Sequence, residues 1–357
     1  MRGVPTVHLV EPGGHGGVFH HTLALAAALD RAGVAVVVHT AADADDGAPG
    51  VGRHACFWRF APVRPRAVRR AAVAAAWTAV GVPSCAARFR PGDVVHVEGR
   101  FVPALLEPVL AAARLRGCRV VYSPHTTFAR GRRPGGEAAV RRMARSADRV
   151  VVFSEYDRLR VEAWGVTDVV QADLVMTDGA ADPGAVAAWR ARWGGATVAL
   201  FAGQVRPDKG LDLLVQAAAE AGVAVAVVGE DHGGLSAALA LAGPLGVAVH
   251  LDERYVATDR FVAAVAAADV VVCPYRQASQ SGVLALAASL GARTVATGVG
   301  GLAELANEVA TPEDPAGLAA AIGRALAADR RPAPPAGSDP IGPYLAAYGL
   351  VRPVAVG

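Results

Sequence analysis

Apolar and polar positions come in blocks along this chain. "VPTVHLV" (4–10) is a short apolar run closed by "EPGG", and "VFHHTLALAAALDRAG" (18–33) carries apolar residues at helical spacing and ends on a glycine. "VAVVVHTA" (34–41) is the next apolar run. Short, continuous apolar runs predict strands buried on both faces, so this order predicts a βαβ unit with parallel strands covered by helices. Further strands are predicted at 93–99, 119–126 and 149–155, with Arg/Ala-rich helical stretches between them. A second series follows at 196–205, 223–231, 247–255, 268–275 and 293–301, separated by Ala-rich helices.

This pattern predicts two doubly wound α/β domains in tandem, 1–167 and 196–326. Residues 168–195, which include "QADLVMTDGAADPG", have turn composition and are expected to be the linker. The tail, 327–357, is Pro-rich before a short helix at "IGPYLAAYGLV", a candidate to pack back on the first domain.

Composition adds limits. With 357 residues and 53% hydrophobic content, the chain can bury two sizeable cores. The net charge of +3 is uneven, about 23 basic against 12 acidic residues up to position 160 and about 12 against 20 after it. A basic first half suits a phosphorylated ligand or an anionic surface, and equally an Arg-decorated solvated face. Arg outnumbers Lys so heavily that it reads as coding bias, which weakens any nucleic-acid reading. Cys56, Cys85, Cys118 and Cys273 show neither C-x-x-C nor Cys/His ligand spacing along the chain, so no metal site is expected and the protein reads as reduced and cytoplasmic. The first predicted strand leaves no room for a signal peptide, and no unbroken run of 18 apolar residues suggests a spanning helix, so membrane contact would be peripheral.

In open α/β sheets ligands bind beyond the carboxyl ends of strands, where helix N-termini offer amides to anions. Five such turns carry unusual chemistry. "GGHGG" (13–17) would let bare backbone approach a ligand, although a tight structural turn has the same composition, and it lacks the spacing and distal acid of a dinucleotide fingerprint. "RPDKG" (206–210) holds the only Lys of the chain. Arg206 and Lys209 there oppose the helix macrodipole by roughly 0.3–1 kcal/mol each, which points to a bound anion. In "QASQSGVLALAASLGA" (277–292), Ser281 is expected to cap the helix, either as an ordinary N-cap or with the Gly282 and Val283 amides facing a ligand. His125 in "SPHTTFARG" and Glu98 in "HVEGRF" sit at two further strand ends, each able to touch substrate or to serve structure alone.

Together these segments resemble the retaining GT-B-fold glycosyltransferases of family GT4, the glycosyl transferases group 1, over about residues 5–326. "GGVFHHTLALAAALDRAGVAVVV" is similar to that family's opening loop and helix, with Gly16, Gly17 and His21 at its positions. "VVYSPHTTFARG" resembles its donor-facing His strand (His125), "VVVFSEYDR" its Ser-Glu strand end (Ser154, Glu155), and "FAGQVRPDKGLDLLVQA" its diphosphate-binding Arg and Lys. "AVVGE" matches its fourth-strand turn at Gly229. The chain departs from the pattern where the family often has two Glu residues eight apart: here stand Ala278 and Leu286.

The resemblance implies a GT-B fold, two Rossmann-like domains facing a central cleft that closes on the donor, and a metal-independent transfer with no cofactor beyond an NDP-sugar co-substrate. It implies donor contacts by Gly16, Gly17, Gly203, Arg206, Lys209, Gly229, Tyr255, Ser281, Gly282 and Val283, catalytic roles for His125, Arg206 and Lys209, and acceptor contacts by His21, Glu98 and Arg130 in the Gly/Arg-rich loop 129–136. The expected activity is transfer from a UDP-linked sugar to a small-molecule, natural-product or lipid-linked acceptor. A sugar-nucleotide epimerase or phosphorylase, or a non-catalytic sugar-nucleotide-binding subunit, are the alternatives, the last motivated by the missing Glu pair.

Overall fold

A computed structural model of the chain describes residues 5–45, 51–58, 67–99, 103–128, 136–176, 180–252, 254, 256–329 and 340–350. It divides into two compact units, Met1–Asp178 with Asp339–Gly357, and Gly179–Ser338.

The first unit is built on a seven-stranded parallel sheet. Its strands are β1 (Val7–Val10), β2 (Val36–Ala41), β3 (Gly52–Phe57), β4 (Val94–Gly99), β5 (Arg119–Pro124), β6 (Arg149–Val152) and β7 (Val169–Gln171), in the order β3-β2-β1-β4-β5-β6-β7. Helices α1 (Gly16–Arg31), α2 (Ala67–Ala76), α3 (Val82–Ala86), α4 (Glu107–Leu115), α5 (Gly136–Ser146) and α6 (Glu155–Ala163) connect them. The second unit opens with α7 (Pro183–Arg192) and has a six-stranded parallel sheet of β8 (Val198–Ala202), β9 (Ala224–Val228), β10 (Val249–Asp252), β11 (Val270–Cys273), β12 (Thr294–Thr297) and β13 (Glu308–Ala310), in the order β10-β9-β8-β11-β12-β13. Its other helices are α8 (Leu211–Ala221), α9 (Leu235–Ala242), α10 (Thr258–Ala267), α11 (Gly282–Ser289) and α12 (Pro315–Ala327). Helix α13 (Gly342–Tyr348) returns to the first unit, contacting β5, β6 and β7.

The central strands are buried along their whole length, which is why they read as unbroken apolar runs. Val10, Val95, Val97, Cys56, Cys85 and Phe89 belong to the core on one face of the first sheet, whereas Val36, Val38, Phe153, Tyr344 and Tyr348 belong to the core on the other. The stretch expected as a linker is largely structured: Val169–Gln171 pairs with β6, and Pro183–Arg192 is a helix capped by Asp182. In each sheet the strand order reverses once, between β1 and β4 and between β8 and β11. Crevices at such switch points are where open α/β sheets hold ligands. Among the described residues no helix is long and apolar enough to cross a membrane.

Candidate active site

The first switch point joins a glycine loop to a buried polar cluster. Gly14 (φ +66°) donates its amide to Glu11 Oε2 at 2.7 Å, and a side chain there would collide with Ala44. Gly16 (φ +74°) starts α1, whose first turn carries no acid, and a Cβ on Gly17 would meet only open space. The loop thus leaves room for a ligand group at a helix N-terminus.

Beside it, Glu98 Oε2 on β4 accepts from His125 Nε2 at 2.6 Å, with Glu98 fully buried and His125 nearly so. His21 of α1 bonds Val175 O through Nδ1 (3.0 Å) and directs Nε2 to 4.0 Å from Glu98 Oε1. His96, two residues before Glu98 and therefore on the same face of β4, binds Tyr348 Oη (2.8 Å) and Ser123 Oγ (2.7 Å), and its Nδ1 lies 3.6 Å from Glu98 Oε1. Burial holds both His21 and His96 down to about 4, against the ordinary 6.5. Glu98 Oε1 is buried without a hydrogen-bond partner. Phe153 stacks on His125 with ring centroids 4.9 Å apart. His125 is thus a ring fixed at one nitrogen and on one face.

The second switch point holds "RPDKG". Residues Pro207–Lys209 form one 3₁₀ turn that ends at Gly210 (φ +68°), where a Cβ would stand 2.1 Å from Pro274 O. Gly210→Ala therefore combines a left-handed backbone with a backbone clash. It is expected to destabilise the second unit by roughly 1–3 kcal/mol, read as a lower denaturant midpoint. Arg206 forms a fork on Asp208 (Nε to Oδ1 2.8 Å, Nη2 to Oδ2 2.7 Å). Lys209 Nζ sits 3.3 Å from the centroid of Tyr275, just past β11, a close cation–π contact. The loop is fastened from outside by Arg276, which grips Asp212 bidentately at 2.8 Å, donates to Pro207 O at 2.9 Å, and pairs its Nε with Glu313 Oε1 at 2.7 Å. That grip holds the Asp212 carboxyl below its usual range.

Tyr275 connects this loop to α11. Its hydroxyl lies 3.2 Å from Ser281 Oγ, and burial keeps it a neutral phenol. Ser281 caps α11, accepting from Leu284 N at 3.3 Å, and no acid occupies the first turn. The helix therefore begins with the Gly282 and Val283 amides, which have no partner four residues back in the helix. Ala278 and Leu286 are both buried apolar positions, so no carboxylate stands where the resemblance expects a pair.

Two family models match the chain: Glycosyltransferase Family 4 over residues 15–172 and Glycosyl transferases group 1 over residues 196–328. The chain belongs to the GT4-type glycosyltransferases. Among solved structures, this glycosyltransferase is similar to sucrose-phosphate synthase from Thermosynechococcus elongatus (17% identity, 90% of each chain, TM-score 0.70). It is also similar to the catalytic domain of starch synthase IV from Arabidopsis thaliana bound to ADP and acarbose (14% identity, 91% of this chain and 92% of that one, TM-score 0.66). A third is a UDP-forming trehalose-phosphate synthase from Burkholderia xenovorans in complex with glucose-6-phosphate (12% identity, 91% and 93%, TM-score 0.63). These likenesses establish the GT-B fold. A search of the curated proteins finds no match.

Within this glycosyltransferase, Gly16, Gly17, His21, Glu98 and His125 gather at the first switch point. Glu98 and His21, expected to touch an acceptor, have no exposed surface; Glu98 bonds His125, and the His21 ring packs edge-on against the His125 ring at 5.5 Å. Gly203, Arg206, Lys209, Ser281, Gly282 and Val283 gather at the second; Val283 is 3.5 Å from where a Gly203 side chain would start. Gly229 has a packing reason for being glycine, since a Cβ would lie 2.0 Å from Gly203 O. Ser154 caps α6 through the Asp157 amide (3.1 Å), and Glu155 pairs with Arg158. Tyr255, Arg130 and most of the expected acceptor loop, 129–135, lie outside the described residues. Residues that the sequence reading did not single out are His96, Tyr275, Arg276, Tyr344 and Tyr348. Among the described residues two groups have ligand atoms close enough to share a cation, His21 with Glu98 and His125, and His39 with His54 and Cys56. Linear spacing does not reveal either group.

Proposed function

We propose that this glycosyltransferase moves a sugar, with retention of anomeric configuration, from a UDP-linked donor to a hydroxyl of a small-molecule or lipid-linked acceptor. One observation carries the donor assignment: Lys209 Nζ, Tyr275 and the Ser281 cap of α11 form one contiguous patch at the second switch point. A cation, a helix N-terminus without acids and glycine backbone are what a diphosphate needs. Departure of a nucleoside diphosphate builds negative charge on its oxygens, and cations already in place lower that barrier most. The ADP bound by the starch synthase relative and the UDP named for the trehalose-phosphate synthase support a nucleoside diphosphate here.

In the first unit, His125 is assigned to the transferred sugar, with Glu98 and His21 as positioning residues. Glu98 accepts the Nε2 proton and so fixes the ring's tautomer. His125→Asn is expected to lower kcat about 10- to 100-fold, the worth of one hydrogen bond to a charged or polarised group, measured on folded protein well below its thermal midpoint. The four cysteines are free thiols, in keeping with a reducing cytoplasm.

The deciding experiment is a panel of UDP-, ADP- and GDP-sugars tested for thermal stabilisation and, with acceptors present, for product. Stabilisation by UDP-sugars and transfer with retained configuration are expected. Donor epimerised without any acceptor would overturn transfer. Stabilisation with neither transfer nor hydrolysis would favour the binding-subunit reading that buried Ala278 and Leu286 motivate.

A further inference from the structure

On the other face of the first sheet, a chain of imidazoles runs inward from the edge. Asp93 Oδ2 lies 3.2 Å from His8 Nε2, His8 Nδ1 2.9 Å from His39 Nε2, His39 Nδ1 3.0 Å from His54 Nδ1, and His54 Nε2 3.3 Å from Ser84 Oγ. His8 and His39 are buried and His54 is half-buried. The cross-strand register sets His39 directly beside His54, and Cys56 follows two residues later, where the β2–β3 register shifts and leaves it between the residues paired with Thr40 and Ala41. One ligand atom from each of His39, His54 and Cys56 lies within 4.8 Å of the others.

The outer partners decide which nitrogens converge. Asp93, anchored by the Thr6 and Arg90 amides, takes the Nε2 proton of His8. His8 Nδ1 is then an acceptor, so His39 must donate through Nε2 and keep a lone pair on Nδ1. His54 meets that lone pair with its own Nδ1 while its Nε2 is engaged by Ser84. Both histidines therefore have Nε2 held from outside and Nδ1 turned to one point, the arrangement by which outer-shell groups orient metal-binding imidazoles. Cys85 of α3 is buried in the same core as Cys56. The scaffold is close-fitting, because a side chain at Gly81, the residue before α3, would stand 2.7 Å from Phe57 Cδ1 and 2.9 Å from Cys56 O, so the chain entering α3 lies directly on β3.

We propose that His39 Nδ1, His54 Nδ1 and Cys56 Sγ bind one borderline-soft divalent cation of the zinc type, with a fourth position open to water. Two imidazoles and a thiolate favour Zn²⁺ over hard cations, which take oxygen ligands. On binding, the Cys56 S–H proton goes to solvent and the His54 proton moves from Nδ1 to Nε2, where Ser84 Oγ accepts it. No electron is transferred.

The test is titration of the full chain, kept reduced with a phosphine, with Co²⁺ as the probe. We expect one equivalent bound with a thiolate-to-cobalt charge-transfer band and tetrahedral visible bands, displaced by one equivalent of Zn²⁺. Cys56→Ser is expected to abolish the charge-transfer band and His54→Gln to weaken binding at least tenfold. Ser84→Ala, which leaves all three ligands, is expected to weaken it by roughly 10- to 100-fold. Glu98→Gln is expected to keep the band, because the His21–Glu98–His125 group has no sulfur. A natively folded wild type without the band, a band that survives Cys56→Ser, or unchanged affinity in both His54→Gln and Ser84→Ala would overturn the site.

Discussion

Lys209→Ala is expected to lower kcat by about a hundred- to a thousandfold, the 2.7–4 kcal/mol that one preorganised charge or donor contributes to a transition state. The side chain is half of a cation–π contact with Tyr275, so it is held in position before any donor arrives. That removes the ordering cost a free lysine would meet on binding phosphate. Lys209→Arg is expected to recover only part of the rate, because a longer side chain with a delocalised, planar charge does not present to the phosphate the compact point charge of an ammonium. Arg206 differs. Its guanidinium is neutralised by the fork with Asp208, so Arg206→Ala removes a cation and releases an acid in the same place. The double variant Arg206→Ala, Asp208→Ala should therefore be faster than Arg206→Ala alone, a coupling that a mutant cycle reads directly. Single-turnover rates at saturating donor check all four, and unchanged rates in Lys209→Ala would remove the diphosphate assignment.

The parts of this fold legible in the sequence were those buried on both sides. β1, β2, β4 and the inner strands of the second series, β8, β9, β11 and β12, read as apolar runs because both of their faces meet helices. β3, β7 and β13 were not legible: β3 is an edge strand with only its last two residues, Cys56 and Phe57, buried, and the other two are three residues long. The return of α13 was only a candidate in sequence, since its evidence is Tyr344 and Tyr348 packed four residues apart on one face, a spacing too short to signal alone. At the site, "RPDKG" was readable because cations at a helix start contradict the local dipole. Tyr275 and Arg276 were not, although they also end a strand. Only the strand order sets β11 beside β8, and with it puts Tyr275 under a lysine 66 positions earlier. The same holds for Glu98, whose three histidine neighbours come from α1, β4 itself and the end of β5.

Acidification is expected to destabilise the first unit progressively between about pH 6.5 and 4. Burial lowers His21 and His96 from 6.5 to about 4, and it also lowers His8, His39 and His54. Between those values the unfolded chain binds protons that the folded chain refuses, so stability rises with pH there. The contribution is complete above about pH 6.5 and is lost as the pH falls toward 4. Each of His21 and His96 accounts for roughly 3 kcal/mol at the lower end, an order-of-magnitude figure at 1.4 kcal/mol per decade of proton affinity. Together they approach the total stability of a typical domain, roughly 5–15 kcal/mol. Glu98 opposes the loss by attracting the protonated rings, but it is a smaller influence than burial on both. Denaturant midpoints from about pH 7.5 to 5 should fall steeply, and His96→Gln, which can still bond Ser123 or Tyr348, should flatten the slope by up to one proton. A flat profile in the wild type would mean that these rings gain their protons without leaving the core, and that the cluster around His125 is hydrated rather than dry.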